Sequence, residues 1–574
     1  MMKNNTANWL LRIGPGGLVL RVGLLWVIVA LLIYPNLNMI TGIFYDDGHF
    51  SAEIIRKLFS SERAMHSLVN SFILAISMIV TVNIVGILLV LFTEYLDIKG
   101  ASFLKLGYLS TLVYGGIVLS TGYKFVYGDS GLVTNLLLKF FPGMNPEWFT
   151  GYGAVLFVMT FACTSNHIIF LTNAIRGIDY QTIEAAKNMG ASSLKIFMRV
   201  VLPTLKPTLF AVTILTFITG LDAMSAPLVL GGPDFQTINP VIMTFAKSSY
   251  SQDVAALLAV ILGIATVVLL AIMNRFEKNG NYISVSKVKS KIQKQKITNP
   301  VLNIAAHALA YVLFLIYAVP IVLVVLYSFS SSQAIRSGVL NLSELTLGNY
   351  LTIFTSAEAF RPFVISTGYS LAAAILVVIL ALIASRIVQK DNHKINMVYE
   401  YGMMIPWLLP GTLIALGLMT TYNSPKFMMF NQVLIGTGAI MLIAYIIVKI
   451  PFSLRMIKSS FASVDTSLEE AARSMGASSL YTMLKVILPV ILPTLLPVVT
   501  LNFNSLLSEY DLTVLLYHPL MQPLGPVIKA ASDESASVNA QAMLFVYSVL
   551  LMLISSLALW LVYGKKPSFN NRKH

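Results

Sequence analysis

Charged residues are scarce in this sequence. Asp, Glu, Lys and Arg make up 11% of its 574 residues, and hydrophobic residues make up 56%. Soluble domains carry about 25% charged residues, so a soluble enzyme of ordinary composition is excluded. The composition predicts an integral membrane protein instead.

Groups that could perform chemistry are also few. Cysteine occurs once, as Cys163, and no two of the seven histidines are four residues apart. A disulfide within the chain and a cysteine metal cluster are excluded, and a helical zinc site is not indicated, so we expect no stable metal. The sequence also lacks a Gly-x-x-x-x-Gly-Lys-Ser/Thr phosphate loop, so any ATP must be bound by another subunit.

Each half of the sequence contains six apolar runs that are long enough to cross a bilayer, which takes about 20 residues as a helix. The runs are continuous and not alternating, which favours helices over β-barrel strands. We therefore predict an all-α protein with about 12 transmembrane helices. The runs are 17–40, 67–92, 106–122, 153–173, 209–230 and 254–273, then 303–328, 364–386, 400–420, 433–450, 490–512 and 542–563.

Positive charge predicts the orientation of these helices. The net charge is +14, and Lys and Arg cluster near both termini, between the halves and before the fifth and eleventh runs. By the positive-inside rule these segments, the N- and C-termini included, face the cytoplasm, while 41–66 and 329–362 lie outside. Basic excess can also indicate nucleic-acid binding, but membrane topology already accounts for it, so we expect no nucleic-acid partner.

One segment of the sequence occurs twice. Glu184–Pro207 recurs as Glu470–Pro493, 286 residues later and without a gap, with 13 of 24 positions identical. The protein is therefore predicted to be a tandem duplication, with domains at 1–273 and 300–574 and a basic cytoplasmic linker, 274–299, that suits a flexible tether. With six runs per half, both copies face the same side, and a pseudo-two-fold axis along the membrane normal relates the domains.

Each copy predicts a short helix followed by a sharp turn. Asp179 and Asp465 can cap the start of that helix, and Gly190 and Gly476 can end it in a left-handed conformation. The alanines give it a small-residue face that another protein can approach closely, and the preceding glutamates can pair with a basic group there. These residues are Glu184, Ala185, Ala186, Glu470, Ala471 and Ala472.

Both copies resemble the EAA loop of binding-protein-dependent ABC importer permeases. The pattern is Glu-Ala-Ala, three residues, Gly, nine residues, a β-branched residue, any residue and Leu-Pro. It is met by Glu184, Ala185, Ala186, Gly190, Val200, Leu202 and Pro203, and by Glu470, Ala471, Ala472, Gly476, Val486, Leu488 and Pro489. In that family each loop forms a coupling helix that docks in a groove of one ATPase subunit. The resemblance implies two copies of a cytoplasmic ABC ATPase, which bind ATP and Mg²⁺, and an extracytoplasmic substrate-binding protein; this chain would bind no cofactor.

Two permease domains in one chain resemble most closely the ferric-iron importer permeases and their relatives for other small charged solutes. The resemblance implies a multi-pass protein of the bacterial cytoplasmic membrane that imports a solute, with Fe³⁺ first, by alternating access. Thiamine, 2-aminoethylphosphonate, a polyamine or a sugar phosphate are the alternatives. An ATP-independent secondary transporter is a remote one, since it gives no reason for two matching loops.

Acidic residues at membrane depth are a further clue. Asp222 lies late in the fifth run, and Glu509 and Asp511 lie late in the eleventh, beside Tyr510. Buried charge in hydrocarbon is costly unless it faces partners or water, so these residues can line a translocation path near the outer mouth. Their oxygens would suit a hard cation such as Fe³⁺. They can equally be interfacial charges at helix ends.

Two other ionisable residues fall in apolar runs. His167 and Lys449 are predicted near the ends of the fourth and tenth runs. At a span end a lysine can reach the interface along its own stem. We therefore expect interfacial roles for both.

Overall fold

The computed structural model describes residues 15–46, 49–113, 115–176, 178, 180–248, 250–279, 293–331, 334–335, 345–390, 394–462, 464–533 and 535–563. Asp179, part of the linker and the C-terminal basic residues lie outside the described residues. Within the described part, ten helices are long and apolar enough to cross a membrane, or twelve if each of two bent helix pairs is one span. The predicted all-α membrane fold is thus confirmed, and we number the spans 1 to 12.

The spans follow the sequence in two sets of six. Spans 1 to 6 are Pro15–Phe44, Glu62–Tyr95, Ala101–Leu112 with Gly116–Phe140, Gly151–Arg176, Ser193–Leu221 and Gln252–Met273. Spans 7 to 12 are Pro300–Ser328, Ala357–Gln389, Ile395–Leu408 with Gly411–Thr421, Gly438–Ala462, Ser479–Leu507 and Asn539–Val562. The shorter helices are Glu53–Ser60, Pro146–Trp148, Tyr180–Asn188, Ser225–Leu230, Ile238–Ala246, Gly348–Thr355, Phe427–Met429, Thr466–Ser474, Thr513–Leu516 and Leu524–Ala531. Strands Tyr45–Asp46 and His49–Phe50 pair antiparallel.

Local capping explains where two of the long helices begin. The side chain of Ser61 accepts a hydrogen bond from the Ala64 N–H before span 2. Before span 7 the Asn299 side chain accepts from the N–H groups of Val301 and Leu302, and Pro300 occupies the first turn. Both arrangements satisfy N–H groups that a helix leaves without an internal partner.

Spans 3 and 9 are broken, where the sequence predicted continuous runs at 106–122 and 400–420. The two pieces meet at 116° in span 3 and at 106° in span 9. In span 9 the break falls at Pro410, which has no N–H for a continuing helix, and the next helix begins at Gly411. In span 3 the second piece begins after Gly115, whose backbone is extended.

The chain packs into two compact units that are not contiguous in sequence. One unit comprises Met1–Ile54, Arg361–Pro526 and Leu553–His574, and the other comprises Ile55–Phe360 and Val527–Met552. Span 1 therefore belongs to the unit that contains spans 8 to 11, and span 7 to the unit that contains spans 2 to 6. The predicted sequence domains 1–273 and 300–574 remain a prediction.

Hydrogen bonds attach span 1 within the first of these units. Thr421, at the end of span 9, donates to the Pro35 carbonyl over 3.1 Å, and Asn38 donates to the Thr421 hydroxyl over 3.1 Å. The buried Tyr422 hydroxyl donates to the Ala30 carbonyl. Unpaired backbone carbonyls in a bilayer cost free energy, so tyrosine and threonine hydroxyls at these positions stabilise the contact.

The second unit holds span 7 in the same way. The Tyr108 hydroxyl of span 3 donates to the Ala310 carbonyl over 2.7 Å, and Tyr311 donates to the Lys99 carbonyl over 3.0 Å. Close packing in this unit also depends on Gly220, because a Cβ there would lie 2.7 Å from the Ala75 Cα of span 2. Small residues at such contacts let membrane helices approach each other.

Candidate functional site

The first repeat loop, Glu184–Pro207, is a short helix, a turn and a second helix. The helix Tyr180–Asn188 ends at Gly190, whose φ is +82°. The Gly190 N–H donates to the Lys187 carbonyl over 2.9 Å, and the Ala191 N–H donates to the Ala186 carbonyl over 3.2 Å. This pair of bonds is a Schellman motif, which requires the left-handed residue that glycine adopts at least cost.

The second repeat loop, Glu470–Pro493, closes in the same way. The helix Thr466–Ser474 ends at Gly476, whose φ is +80°. The Gly476 N–H donates to Arg473 over 2.9 Å, and the Ala477 N–H donates to Ala472 over 3.0 Å. The predicted glycine ends are therefore present in both copies.

The second helix of each loop starts with a serine cap and widens into a π-helical turn before a proline. Ser192 and Ser478 accept from N–H groups three residues later. The π-helical turns are Phe197–Val201 and Met483–Ile487, which are again 286 residues apart. They directly precede Leu202–Pro203 and Leu488–Pro489, and a widened turn relieves the clash that proline makes with the carbonyl four residues earlier. The Leu-Pro of the sequence pattern thus marks a fixed backbone geometry.

The exposed face of each short helix contains the same residue types. Glu184, Ala185, Glu470 and Ala471 are exposed. Ala186 and Ala472 are 8% and 3% exposed and face their own chain, so the prediction that all four alanines form the docking face was wrong for these two. Ala185 and Ala471 are therefore the alanines that another protein can approach.

Sequence reasoning missed one pair of residues on this face. Met189 and Met475 precede the two glycines and are 81% and 82% exposed. The sequence signal that could have identified them is a methionine directly before the glycine in both copies of a polar segment. Methionine is flexible and polarisable, so it suits an adaptable contact with an apolar groove.

The two loops are anchored by different side chains. In the first, Ile183 is fully buried. The equivalent residue in the second is Glu469, which accepts from Arg386 over 2.5 Å and from Arg473 over 2.6 Å. Apolar burial therefore holds one helix, and a partly buried ion-pair network holds the other.

The end of the predicted linker contacts the first loop. The Gln295 N–H donates to the Tyr95 carbonyl over 2.8 Å, and the Ser193 hydroxyl donates to the Lys296 carbonyl over 2.9 Å. Tyr95 in turn donates to the Ser193 carbonyl over 2.9 Å. The prediction of a flexible tether over 274–299 was wrong for this end, because backbone bonds fix it against span 2.

One cap carries a titratable group. Asp465 accepts from the Ser467 N–H over 2.9 Å at the start of the second loop helix, as the sequence predicted. The Ser467 N–H, and then its hydroxyl, stabilise the carboxylate and hold the pKa of Asp465 below its ordinary value.

The acidic residues predicted for a translocation path all follow helix ends. Asp222 ends span 5, and its Oδ1 accepts from the Asn239 amide over 2.8 Å. Glu509 follows span 11 and accepts from the Leu512 N–H over 3.0 Å and from the Thr513 hydroxyl over 2.7 Å. Glu509 therefore caps the short helix Thr513–Leu516, whereas Asp222 connects the end of span 5 to the helix Ile238–Ala246.

The remaining two path residues lie beside Glu509 in sequence. Tyr510 is 4% exposed, and Asp511 is half-buried. Asp222 belongs to one compact unit and these three residues to the other. Across the described ranges, no group of three or more His, Cys, Asp or Glu side chains could hold a metal ion.

Lys449 and His167 lie inside long helices. Lys449 is eleven residues from the start of span 10 and thirteen from its end, because the helix continues twelve residues beyond the tenth apolar run. His167 lies inside Gly151–Arg176, is fully buried and contacts Asn83 Oδ1 over 3.2 Å. A helix end is not a membrane boundary, so the predicted interfacial roles stay a prediction.

The fold is that of a multi-pass membrane protein with two matching loops, and comparison with known families identifies its class. The chain belongs to the family of binding-protein-dependent transport system inner membrane components, whose model matches residues 60–279 and again 378–567. Each matched region contains one repeat loop. The predicted fused double permease is therefore confirmed: the chain is a multi-pass ABC transporter permease and not an enzyme, with the ATPase on a separate subunit.

Three relatives are similar to this chain over different lengths, and two of them are named for a solute. A probable ABC transporter permease protein of Sinorhizobium fredii is 36% identical over 552 residues, which are 95% of this chain and 96% of that protein. A ferric transport system permease protein of Actinobacillus pleuropneumoniae is 23% identical, over 80% of this chain and 66% of that protein. A spermidine/putrescine transport system permease protein of Escherichia coli K12 is 26% identical, over 23% of this chain and 50% of that protein.

Proposed function

We propose that this chain forms the translocation pathway of an ATP-driven importer in the bacterial cytoplasmic membrane, with both termini in the cytoplasm. An extracytoplasmic binding protein delivers a small solute, and two copies of one ATPase dock on the two repeat loops. Their closure on ATP moves the permease between outward-open and inward-open states. The observation that carries this proposal is the matching backbone of the two loops.

Rigidity of the loops supports a coupling role. A Schellman closure, a serine cap and a π-helical turn fix the backbone of each loop on both sides of the glycine. A docked helix transmits a displacement only if its own backbone does not yield. On this rigid frame Met189 and Met475 enter an apolar groove of the ATPase, and Glu184 and Glu470 pair with basic groups at its rim.

Fe³⁺ is the first solute to test. The ferric relative and the carboxylates at the two helix breaks support it. Thiamine, 2-aminoethylphosphonate, a polyamine and a sugar phosphate are the alternatives, and the polyamine relative supports one of them.

ATP hydrolysis by the reconstituted complex tests the coupling role. We would compare wild type with a double variant that carries Gly190→Asp and Gly476→Asp. Both would be assayed with the binding protein that is encoded beside this chain, loaded with Fe³⁺. A non-glycine residue in the left-handed region costs about 1–2 kcal/mol, so both loop turns should distort and stimulation should be lost. Gly143→Asp is the matched control, since Gly143 is exposed and lacks a positive φ.

The outcomes separate the mechanism from the solute. Loss of stimulation in the double variant alone supports docking through the loops. Full stimulation in the double variant refutes it. Stimulation that depends on the loops but not on Fe³⁺ leaves the importer in place and moves the search to the other solutes.

A further inference from the structure

Lys449 is a charged residue near the centre of a membrane span. Eleven residues separate it from the start of span 10, which is roughly 16 Å along a helix. An ammonium group at this depth is costly unless it faces water or polar partners. Its position therefore calls for a polar environment inside the membrane.

The environment of Lys449 is polar and open. Its Nζ donates to the Ser505 hydroxyl of span 11 over 2.7 Å. Ser505 is exposed and Lys449 is half-buried. An exposed lysine–serine pair at membrane depth that faced lipid would be strongly unfavourable, so this surface faces water.

Neighbouring polar pairs lie on the same face of span 10. Tyr445, Lys449 and Ser453 are spaced four residues apart, so they share one side of the helix. The Tyr445 hydroxyl lies 2.6 Å from the Thr513 hydroxyl, and Asn502 donates to Ser453 over 2.7 Å. Tyr445, Ser453, Asn502 and Thr513 are buried, which leaves the Lys449 pair as the open member of this row.

The nearby acid leaves the ammonium group available. Glu509 interacts electrostatically with Lys449. Its two oxygens are occupied by the N–H groups of Leu512 and Thr513 and by the Thr513 hydroxyl. Lysine has three N–H donors, and in the described part of the chain Ser505 is its one hydrogen-bond acceptor.

We propose that Lys449 and Ser505 bind an oxyanion of the transported solute, a carboxylate, phosphate or phosphonate oxygen, as it crosses the membrane. The proposal rests on the importer function and names the solute chemistry for the same pathway. Two kinds of solute meet this requirement: a molecule that is itself an oxyanion, and a ferric ion bound by oxyanionic ligands. Unmodified thiamine and polyamines lack the required group.

Chemical labelling tests this site without transport. The complex of this chain with its ATPase, in lipid nanodiscs, is treated with pyridoxal 5′-phosphate and borohydride, and the modification of Lys449 is measured by mass spectrometry. We expect inorganic phosphate or methylphosphonate, which lack an amine that could react with the reagent, to slow labelling of Lys449 about tenfold or more, whereas sodium chloride of equal ionic strength does not. Lys458, on the same helix and paired with Glu400, is the matched control and should show no protection.

A second variant tests the geometry of the contact. Ser505→Ala should raise the phosphate concentration for half-protection by about tenfold to a hundredfold, as expected for a lost hydrogen bond to a charged group. Lys449→Arg should still transport oxyanionic solutes in proteoliposomes. Lys449→Gln should transport them about tenfold to a hundredfold more slowly.

Three results would overturn the proposal. In the first, Lys449 resists both pyridoxal phosphate and the smaller reagent cyanate in the nucleotide-free and ATP-bound complexes. In the second, phosphate protects no better than chloride. In the third, Lys449→Gln transports oxyanionic solutes at the wild-type rate. Labelling needs neither ATP turnover nor a binding protein, so failure of the importer function would show separately, as loop-independent ATPase activity.

Discussion

The two halves of the chain agree in their repeat loops and differ in the spans that flank those loops. At the repeat offset of 286 residues, Lys449 corresponds to Cys163 and Ser453 corresponds to His167. At the corresponding level of the first half, His167 of span 4 contacts Asn83 of span 2, and Asn83 donates to Thr213 of span 5 over 2.9 Å. In the second half a lysine lies at this level of the membrane.

This difference indicates which parts of the two halves must keep the same structure and which parts can diverge. In the proposed function each loop fits one copy of the same ATPase, which accounts for the turn, cap and exposed methionine that both halves share. A single solute moving through the protein needs no matching pair of contacts. The interior is therefore free to differ, and the open Lys449–Ser505 pair places the proposed oxyanion contact in one half.

The anchors of the two loop helices should respond differently to mutation, with the largest effect in the first loop. Ile183→Ala removes a fully buried side chain and should lower local stability by about 2–5 kcal/mol. Glu469→Gln, at the equivalent position, should cost less, and raising the salt concentration should weaken the wild-type anchor there. Hydrogen exchange of Tyr180–Asn188 and Thr466–Ser474 would measure both. Equal salt sensitivity of the two helices would contradict the distinction.

The contact of His167 with span 2 in the first half should tolerate no added volume. A Cβ at Gly86 would lie 2.6 Å from the His167 Cβ, so Gly86→Ala should destabilise the protein by about 1–3 kcal/mol through overpacking. Gly42→Ala is the control, because no atom lies within 4 Å of a Cβ there. Thermal unfolding in detergent would compare them, and equal midpoints would show that His167 moves aside freely.

The exposed methionines should contribute equally to ATPase docking. Met189→Ala and Met475→Ala should each weaken binding of the ATPase by about 1 kcal/mol, roughly fivefold, by analogy with moderate interface contacts. Titration of the ATPase against each reconstituted variant would measure this. Chain stability should not change, since both side chains are more than 80% exposed. A large effect in one loop alone would break the symmetry of docking.

The smallest effect should come from acid at the second loop. The lowered pKa of Asp465 means that its cap stabilises the helix at neutral pH and is lost as the pH falls through the folded pKa, which lies below the ordinary aspartate value. Asparagine caps a helix about as effectively as aspartate, but its side chain does not titrate. The protection factor of the Ser467 amide, which corrects for the intrinsic pH dependence of exchange, should therefore fall at low pH in wild type and not in Asp465→Asn. The same pH response in both chains would assign the titration to another group.

Much of the architecture could be predicted from the sequence, because apolar runs and a gapless repeat are strong local signals. The loop turns were equally accessible, since Gly190 and Gly476 each end a capped helix. The position of Lys449 was not. The tenth apolar run ends at residue 450, one residue after Lys449, but the helix of span 10 continues to Ala462. Hydropathy does not detect this continuation of the helix.

The broken spans and the mixed membership of the compact units also escaped prediction. A proline such as Pro410 marks a possible break but does not give the angle between the pieces. Contacts such as that of Tyr108 with Ala310 join residues about 200 positions apart. A run of apolar residues does not indicate which other helix it packs against. The path residues were found by depth, yet their hydrogen bonds depend on helix ends that only the fold defines.

The exchange of spans 1 and 7 between units has a consequence for a cleaved chain. A cut between residues 280 and 292 yields two fragments, and each contributes helices to both compact units. The fragments are thus intertwined like the protomers of a domain-swapped dimer. Neither can leave without unfolding both units. Two separately encoded polypeptides divided at this point should therefore assemble into the same permease.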